Sequence, residues 1–132
     1  MTMRDFGDAN LLIGASVTTL PVNWQQTARC MIQSLTVRVV VSAATLQATV
    51  TLKASDFDTK TGSEATFTGF TVASALPTGV TYSNGVITIN NASIGTSEVV
   101  LTSQAVPRWV GAIYTYTSGG GTVAVNACLS GW

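Results

Sequence analysis

Hydrophobic and polar residues alternate most regularly between positions 46 and 54. In this stretch, LQATVTLKA, every second side chain is apolar and the positions between them are polar or small. Successive side chains of a β-strand point to opposite faces, so a period of two predicts a strand with one buried and one solvated face. The residues expected on the buried face are Leu46, Ala48, Val50, Leu52 and Ala54.

The same period of two predicts further strands and three hairpins. Residues 35–41, LTVRVVV, alternate in the same way, and residues 42–45 are expected to turn the chain into the strand that follows. Asn84-Gly85, inside VTYSNGVITI, predicts a second hairpin because a type I′ turn needs two positive φ angles. In the closing stretch, glycines 119–121 separate two apolar runs and predict a third hairpin.

These strands predict an all-β protein, since no segment keeps the apolar spacing of an amphipathic helix. Roughly seven or eight short strands are typical of a single-domain β-sandwich, with a jelly roll as the leading topology and an immunoglobulin-like sandwich as the alternative. The sandwich domain is expected to span residues 29–132. Residues 1–28 show few strand signals and are expected to form an extended N-terminal arm that packs on something outside that domain.

Composition limits the classes of partner. The chain has 132 residues, of which only 9% are charged, and its formal net charge is zero. Electrostatic attraction therefore has little to act on, and we expect neither nucleic acid nor a membrane as a partner. A protein so poor in charge tends to associate, which predicts that protein contacts cover part of its surface. The first 20 residues lack the long apolar core of a signal peptide, so secretion is not expected.

Catalytic and metal-binding chemistry is sparse. The chain has no histidine, which excludes Ser-His-Asp and Cys-His mechanisms. Asp56 and Asp58 have the spacing of a carboxylate pair or a partial calcium site, but the preferred interpretation of residues 56–64, DFDTKTGSE, is an exposed, solvated excursion. Glycines 119–121 lack the lysine and the helix of a phosphate-binding loop. We therefore expect no enzyme, cofactor or metal, while Cys30 and Cys128 are compatible with either a disulfide or two buried thiols.

Three stretches carry a resemblance to a known family: MTMRDFGDANLLIGASVTTL at the start, a middle segment that ends VTLKASDF, and PRWVGAIYTYTSGGGTVAVNACL near the end. Together they resemble the small capsid cement (decoration) proteins of tailed bacteriophages, in particular the jelly-roll type on short-tailed phage heads. A competing resemblance lies in residues 75–89, ALPTGVTYSNGVITI, which is similar to an element of bacterial and phage immunoglobulin-like repeats. It departs from that element at Asn90-Asn91, where those repeats close with Gly-Thr-Pro.

The first resemblance implies a structural protein of the virion. Such a protein is made in the host cytoplasm, binds the assembled major capsid protein as a homodimer or homotrimer, and stabilises the capsid against the pressure of packaged DNA. The alternative function is a tail- or fibre-associated adhesion module that binds a host glycan through exposed aromatic side chains. Aromatic residues and arginine dominate interface energetics, although each could instead pack in the core, so the candidate contact residues are Trp24, Arg29, Arg108, Trp109, Tyr114, Tyr116 and Trp132.

Overall fold

The computed structural model describes residues 4–15, 23–26, 33–61, 64–92, 94–103, 107–120 and 122–131. Within these ranges the chain forms ten β-strands in two antiparallel five-stranded sheets and no α-helix. The predicted all-β sandwich is therefore confirmed. None of the described residues belongs to a helix that is long and apolar enough to cross a membrane.

The ten strands divide equally between the sheets. Sheet A contains β1 (Arg4–Ala15), β3 (Gln33–Val41), β5 (Thr71–Val72), β8 (Gly95–Ser103) and β10 (Thr122–Gly131). Sheet B contains β2 (Asn23–Gln26), β4 (Gln47–Ser55), β6 (Val80–Ser83), β7 (Val86–Asn90) and β9 (Trp109–Ser118). The spatial order is β1-β10-β3-β8-β5 in sheet A and β2-β9-β4-β7-β6 in sheet B.

Strands that follow one another along the chain mostly lie in opposite sheets, and this corrects two of the predicted hairpins. β3 pairs with β10 and β8, whereas β4 pairs with β9 and β7, so residues 42–46 cross between the sheets instead of closing a hairpin. β9 and β10 are likewise separated, which makes Gly119 and Gly120 part of a second crossing connection. Alternation predicted these strands correctly, but it carries no information about which strand pairs with which.

The hairpin predicted at Asn84-Gly85 is confirmed. β6 and β7 pair from Ser83 and Val86 outward, and the two residues between them have φ angles of 48° at Asn84 and 83° at Gly85. Two positive φ angles in a two-residue loop are the requirement of a type I′ turn, whose twist matches that of the flanking strands. The Asn-Gly dipeptide predicted pairing here because it specifies the turn as well as the strands.

The structure also differs from the expected N-terminal arm. Arg4–Ala15 pairs with β10 at the edge of sheet A, and Asn23–Gln26 pairs with β9 at the edge of sheet B. Both stretches therefore belong to the sandwich, and an arm that packs outside the domain does not describe them. The weak alternation of RDFGDANLLIGA accounts for the missed strand, since its ladder contains two register shifts.

The core lies between the two sheets. Sheet B contributes the fully buried Leu52 and Ile87, sheet A contributes Val99 and Leu101, and Leu46 joins them from the connection just before β4. The predicted buried face of β4 is confirmed at positions 46, 48, 50 and 52, while Ala54 is only half-buried near the end of the strand. Full burial stabilises the fold by about 1.5–3 kcal/mol for each large aliphatic side chain, which makes this cluster the main source of stability.

Candidate functional site

The polar segment that follows β4 lies against the start of β9. The ladder between these strands ends with Ser55 opposite Trp109, so the next residues of both strands emerge at the same end of sheet B. The Ser55 hydroxyl accepts a hydrogen bond of 3.1 Å from the backbone N–H of Phe57, which turns the chain away from the ladder. We call residues 56–61 the β4 loop.

Arg108 holds the β4 loop at two points. Its backbone N–H donates to the Asp56 carboxylate at 2.9 Å, and its guanidinium forms an ion pair of 2.9 Å with the Asp58 carboxylate. The side chains of Arg108 and Asp58 are 37% and 74% exposed, so water screens this pair and its contribution is about 0–1 kcal/mol. The two contacts fix the direction of the loop more than they stabilise the fold.

Lys60 completes the cluster by covering Trp109. Its ammonium lies 3.7 Å from the centre of the indole ring, and it also donates a hydrogen bond of 2.8 Å to the carbonyl of Asp58. The guanidinium carbon of Arg108 lies 5.7 Å from the same ring. A cation above an indole face is attracted by the negative potential of that face. The Lys60 ammonium therefore links the β4 loop to Trp109 of β9, and the Arg108 guanidinium lies near the same ring.

Phe57 projects from the β4 loop into solvent. Its side chain is 77% exposed, although the residues on either side of it are tied to Arg108. Isolated apolar side chains on a surface are ordinary, but a large aromatic side chain on a braced loop is the kind of residue that anchors protein interfaces. The β4 loop, Arg108 and Trp109 therefore form the candidate contact site.

The other predicted contact residues lie elsewhere. Trp24 is half-buried on β2, opposite Gly111 of β9. Tyr116 is half-buried near the far end of sheet B, where its hydroxyl donates to the Gly119 carbonyl at 2.8 Å. Tyr114 is fully buried, which agrees with the core-packing interpretation of that residue. Arg29 and Trp132 lie outside the described residues, as does Cys30.

Two buried polar atoms stand out on β9. The Tyr114 hydroxyl and the Trp109 indole N–H are both inaccessible to water and have no hydrogen-bond partner in the structure. Burial raises the pKa of the Tyr114 phenol, and the neighbouring Tyr116 raises it further. An unpaired buried hydroxyl destabilises the folded state, so the free energy of unfolding is lower with the Tyr114 hydroxyl than it would be with an apolar ring at this position.

The predicted carboxylate pair, Asp56 and Asp58, lies at the start of the β4 loop. Both carboxylates interact with Arg108, which is a structural use of the pair. No group of three or more His, Cys, Asp or Glu residues within the described ranges is arranged to hold a metal ion. The interpretation of residues 56–64 as an exposed excursion agrees with the exposure of Asp56 to Thr59.

The triple glycine has a structural role at the opposite end of sheet B. Gly119 has a φ angle of 88°, and a Cβ atom at that position would overlap the carbonyl oxygen of Thr45. The next residue, Gly120, donates its backbone N–H to the Thr45 hydroxyl at 3.2 Å. The two connections that cross between the sheets therefore touch through their backbones, and glycine is required because there is no room for a side chain.

Sequence reasoning missed two residues of the contact site. Lys60 and Phe57 were both included in a solvated segment, yet Lys60 covers Trp109 and Phe57 is the exposed aromatic side chain. One signal was available for Phe57, since it is the only apolar side chain in DFDTKTGSE. No signal was available for Lys60, because the contact depends on the pairing of β4 with β9.

Comparison of the chain with protein-family models, curated proteins and solved structures finds no match.

Proposed function

We propose that this chain is a cement protein of a bacteriophage capsid, which binds the assembled major capsid protein and stabilises the shell against the pressure of packaged DNA. The observation that carries the proposal is a braced, exposed aromatic side chain, Phe57, on a sandwich with very few charges. A neutral surface is suited to protein contacts, and an interface of standard size, about 1,600 Å², would cover the exposed apolar side chains.

The strand order supports the jelly-roll form of the proposal. When the short strands β5 and β6 are set aside, sheet A reads β1-β10-β3-β8 and sheet B reads β2-β9-β4-β7. Each sheet then interleaves early and late strands of the chain, as two Greek keys wrapped into a double sheet would do. The immunoglobulin-like alternative is less favoured, because its sheets contain neighbouring strands joined by hairpins.

The glycan-binding alternative is less favoured by the aromatic residues of β9. Jelly rolls also occur in lectins, so the strand order alone does not separate the two functions. A sugar ring that stacked on the face of Trp109 covered by Lys60 would have to displace that ammonium. Tyr114 is buried, and the Tyr116 hydroxyl is bonded within the chain. A cement protein is therefore the function that we propose.

The proposal is tested on heads of the phage that encodes the chain, prepared with and without it. We expect heads without the protein to release DNA at a lower temperature, as measured with a DNA-binding dye, and to recover when purified protein is added back. The purified protein should sediment as a homodimer or homotrimer, because many modest contacts act together on a symmetric shell. A monomer that does not bind heads would contradict the proposal, and a location on the tail by cryo-electron microscopy would favour the adhesion module.

A further inference from the structure

Three large apolar side chains are exposed in the described part of the chain, and one of them is held by a braced loop. Phe57 is 77% exposed, Ile94 is 66% exposed and Val72 is 39% exposed. Ile94 immediately precedes β8 and Val72 ends the short strand β5. Phe57 belongs to the β4 loop, where the contacts to Arg108 and Trp109 restrict its neighbours.

The contacts on both sides of Phe57 are pre-formed in the isolated chain. On one side, the Asp56 carboxylate accepts a hydrogen bond from the backbone N–H of Arg108, and on the other the Asp58 carboxylate forms an ion pair with the Arg108 guanidinium. The backbone N–H of Phe57 itself donates to the Ser55 hydroxyl. An interface loses less conformational entropy on binding when its anchor is already held in place. Rigid aromatic anchors are the residues at which truncation most often abolishes binding.

The charges around Phe57 indicate the kind of surface that it fits. Asp56 and Asp58 stand on either side of Phe57 in the sequence, and both carboxylates contact Arg108. With Lys60 in the same loop, two carboxylates and two cations leave the surface around Phe57 without net charge. An anionic lipid surface therefore gains no electrostatic attraction here, and an apolar protein pocket fits the exposed ring better than such a membrane does.

We propose that Phe57 is the anchor that inserts into an apolar pocket of the major capsid protein, while the contacts of Asp56 and Asp58 with Arg108 hold the β4 loop in place. The inference rests on the proposed function, and it adds the residue and the chemistry of the contact. Burial of a phenylalanine ring removes a large apolar area from water, which is sufficient for one side chain to dominate a small interface.

The test compares three proteins on heads that lack the cement protein: the wild type, Phe57→Ser and the control Ile94→Ser. Both substitutions replace an exposed apolar side chain by the same polar one, so both variants should unfold at the same temperature as the wild type. We expect Phe57→Ser to weaken binding to heads by about thirtyfold or more, the loss typical of a hot-spot residue. Ile94→Ser should bind within about twofold of the wild type, as a substitution outside the interface would.

Each contrary outcome has a distinct meaning. If the wild type does not bind heads, the proposed function and this inference both fail. If the wild type and Phe57→Ser bind equally well, or if Ile94→Ser loses as much as Phe57→Ser, the anchor role is overturned while the proposed function stands. A last arm uses vesicles of phosphatidylcholine with phosphatidylglycerol, and binding that depends on Phe57 there would assign the residue to a lipid surface and overturn the protein pocket.

Discussion

The two ends of sheet B are held together in different ways. At one end, where Ser55 pairs with Trp109, the β4 loop contacts β9 through charged and aromatic side chains. At the other end, where Gln47 pairs with Ser118, the connections that cross between the sheets meet through the backbones of Thr45 and Gly119. The first end is open to solvent, and the second allows no added atom at Gly119.

This difference separates a surface that can carry function from one that maintains the fold. Exposed ion pairs and cation–π contacts contribute little individually, so substitutions among them change a binding surface without unfolding the protein. The close approach of Gly119 to Thr45 has no such tolerance. A side chain at Gly119 would clash with the Thr45 carbonyl oxygen, and relief of that clash would shift both crossing connections at once. We therefore expect large stability effects at the glycine end and small ones at the β4 loop.

The largest effect is expected for Gly119→Ala. Alanine would need both the positive φ angle of 88° and space that the Thr45 carbonyl occupies, so we expect the free energy of unfolding to fall by about 3 kcal/mol. Urea unfolding followed by circular dichroism would show a lower midpoint with an unchanged slope, which indicates lost stability without a change in the unfolded state.

Gly120→Ala is the matched control for this substitution. The nearest atom to a Cβ at Gly120 is the Thr45 hydroxyl oxygen, at 3.7 Å, which is an ordinary contact distance. We expect its effect to stay within about 0.5 kcal/mol. Equal effects of the two substitutions would mean that the crossing connections do not touch at Gly119, and the contrast between the two ends would lose its basis.

Tyr114→Phe addresses the buried strand between these ends and is expected to stabilise the protein. The substitution removes a buried hydroxyl that has no partner, so the free energy of unfolding should rise by about 1 kcal/mol. The control is Tyr82→Phe, which removes a hydroxyl that donates to the Phe70 carbonyl at 2.7 Å and should lower stability by about 1 kcal/mol. Opposite signs in urea unfolding at neutral pH would confirm the assignment, and a loss of stability for Tyr114→Phe would contradict it.

Alkaline pH tests the same residue independently. Burial raises the pKa of Tyr114 above the ordinary value of 10.0, so the folded state holds this proton more tightly than the unfolded state does. The resulting stability is fully present below pH 10.0 and is lost as pH rises through the raised pKa of the folded state. Tyr114→Phe should therefore lose less stability than the wild type between neutral and strongly alkaline pH, as measured by thermal unfolding.

The sequence predicted which face of β4 is buried, but it did not predict the strand with which β4 pairs. The alternation in LQATVTLKA predicted the buried face of β4 because burial depends on the local period of two. The partner of β4 depends on whether residues 42–46 turn within a sheet or cross to the other sheet, and both paths fit a connection of this length. Only Asn84-Gly85 specified a pairing, because its positive φ angles are compatible with a tight turn between adjacent strands.

The contact site was less predictable than the fold for the same reason. Arg108 and Trp109 were candidates from residue type alone, but their partners lie far away in the sequence, with Asp56 52 positions from Arg108. Contacts of this separation follow from the register of β4 and β9, which no local pattern encodes. Residue type therefore made Arg108 and Trp109 candidates, and the fold was needed to show that Lys60 and Phe57 lie beside them.

The smallest effect is expected for Lys60→Met, which keeps an unbranched apolar side chain over Trp109 but removes the charge. We expect a loss of about 0.5 kcal/mol in global stability, with faster hydrogen exchange in the β4 loop. Lys53→Met is the control, because that ammonium makes only a long 3.4 Å contact with the Thr66 hydroxyl and should leave exchange in the loop unchanged. If Lys60→Met cost as much as Gly119→Ala, the β4 loop would be part of the structural framework, and its freedom to serve as a binding surface would be lost.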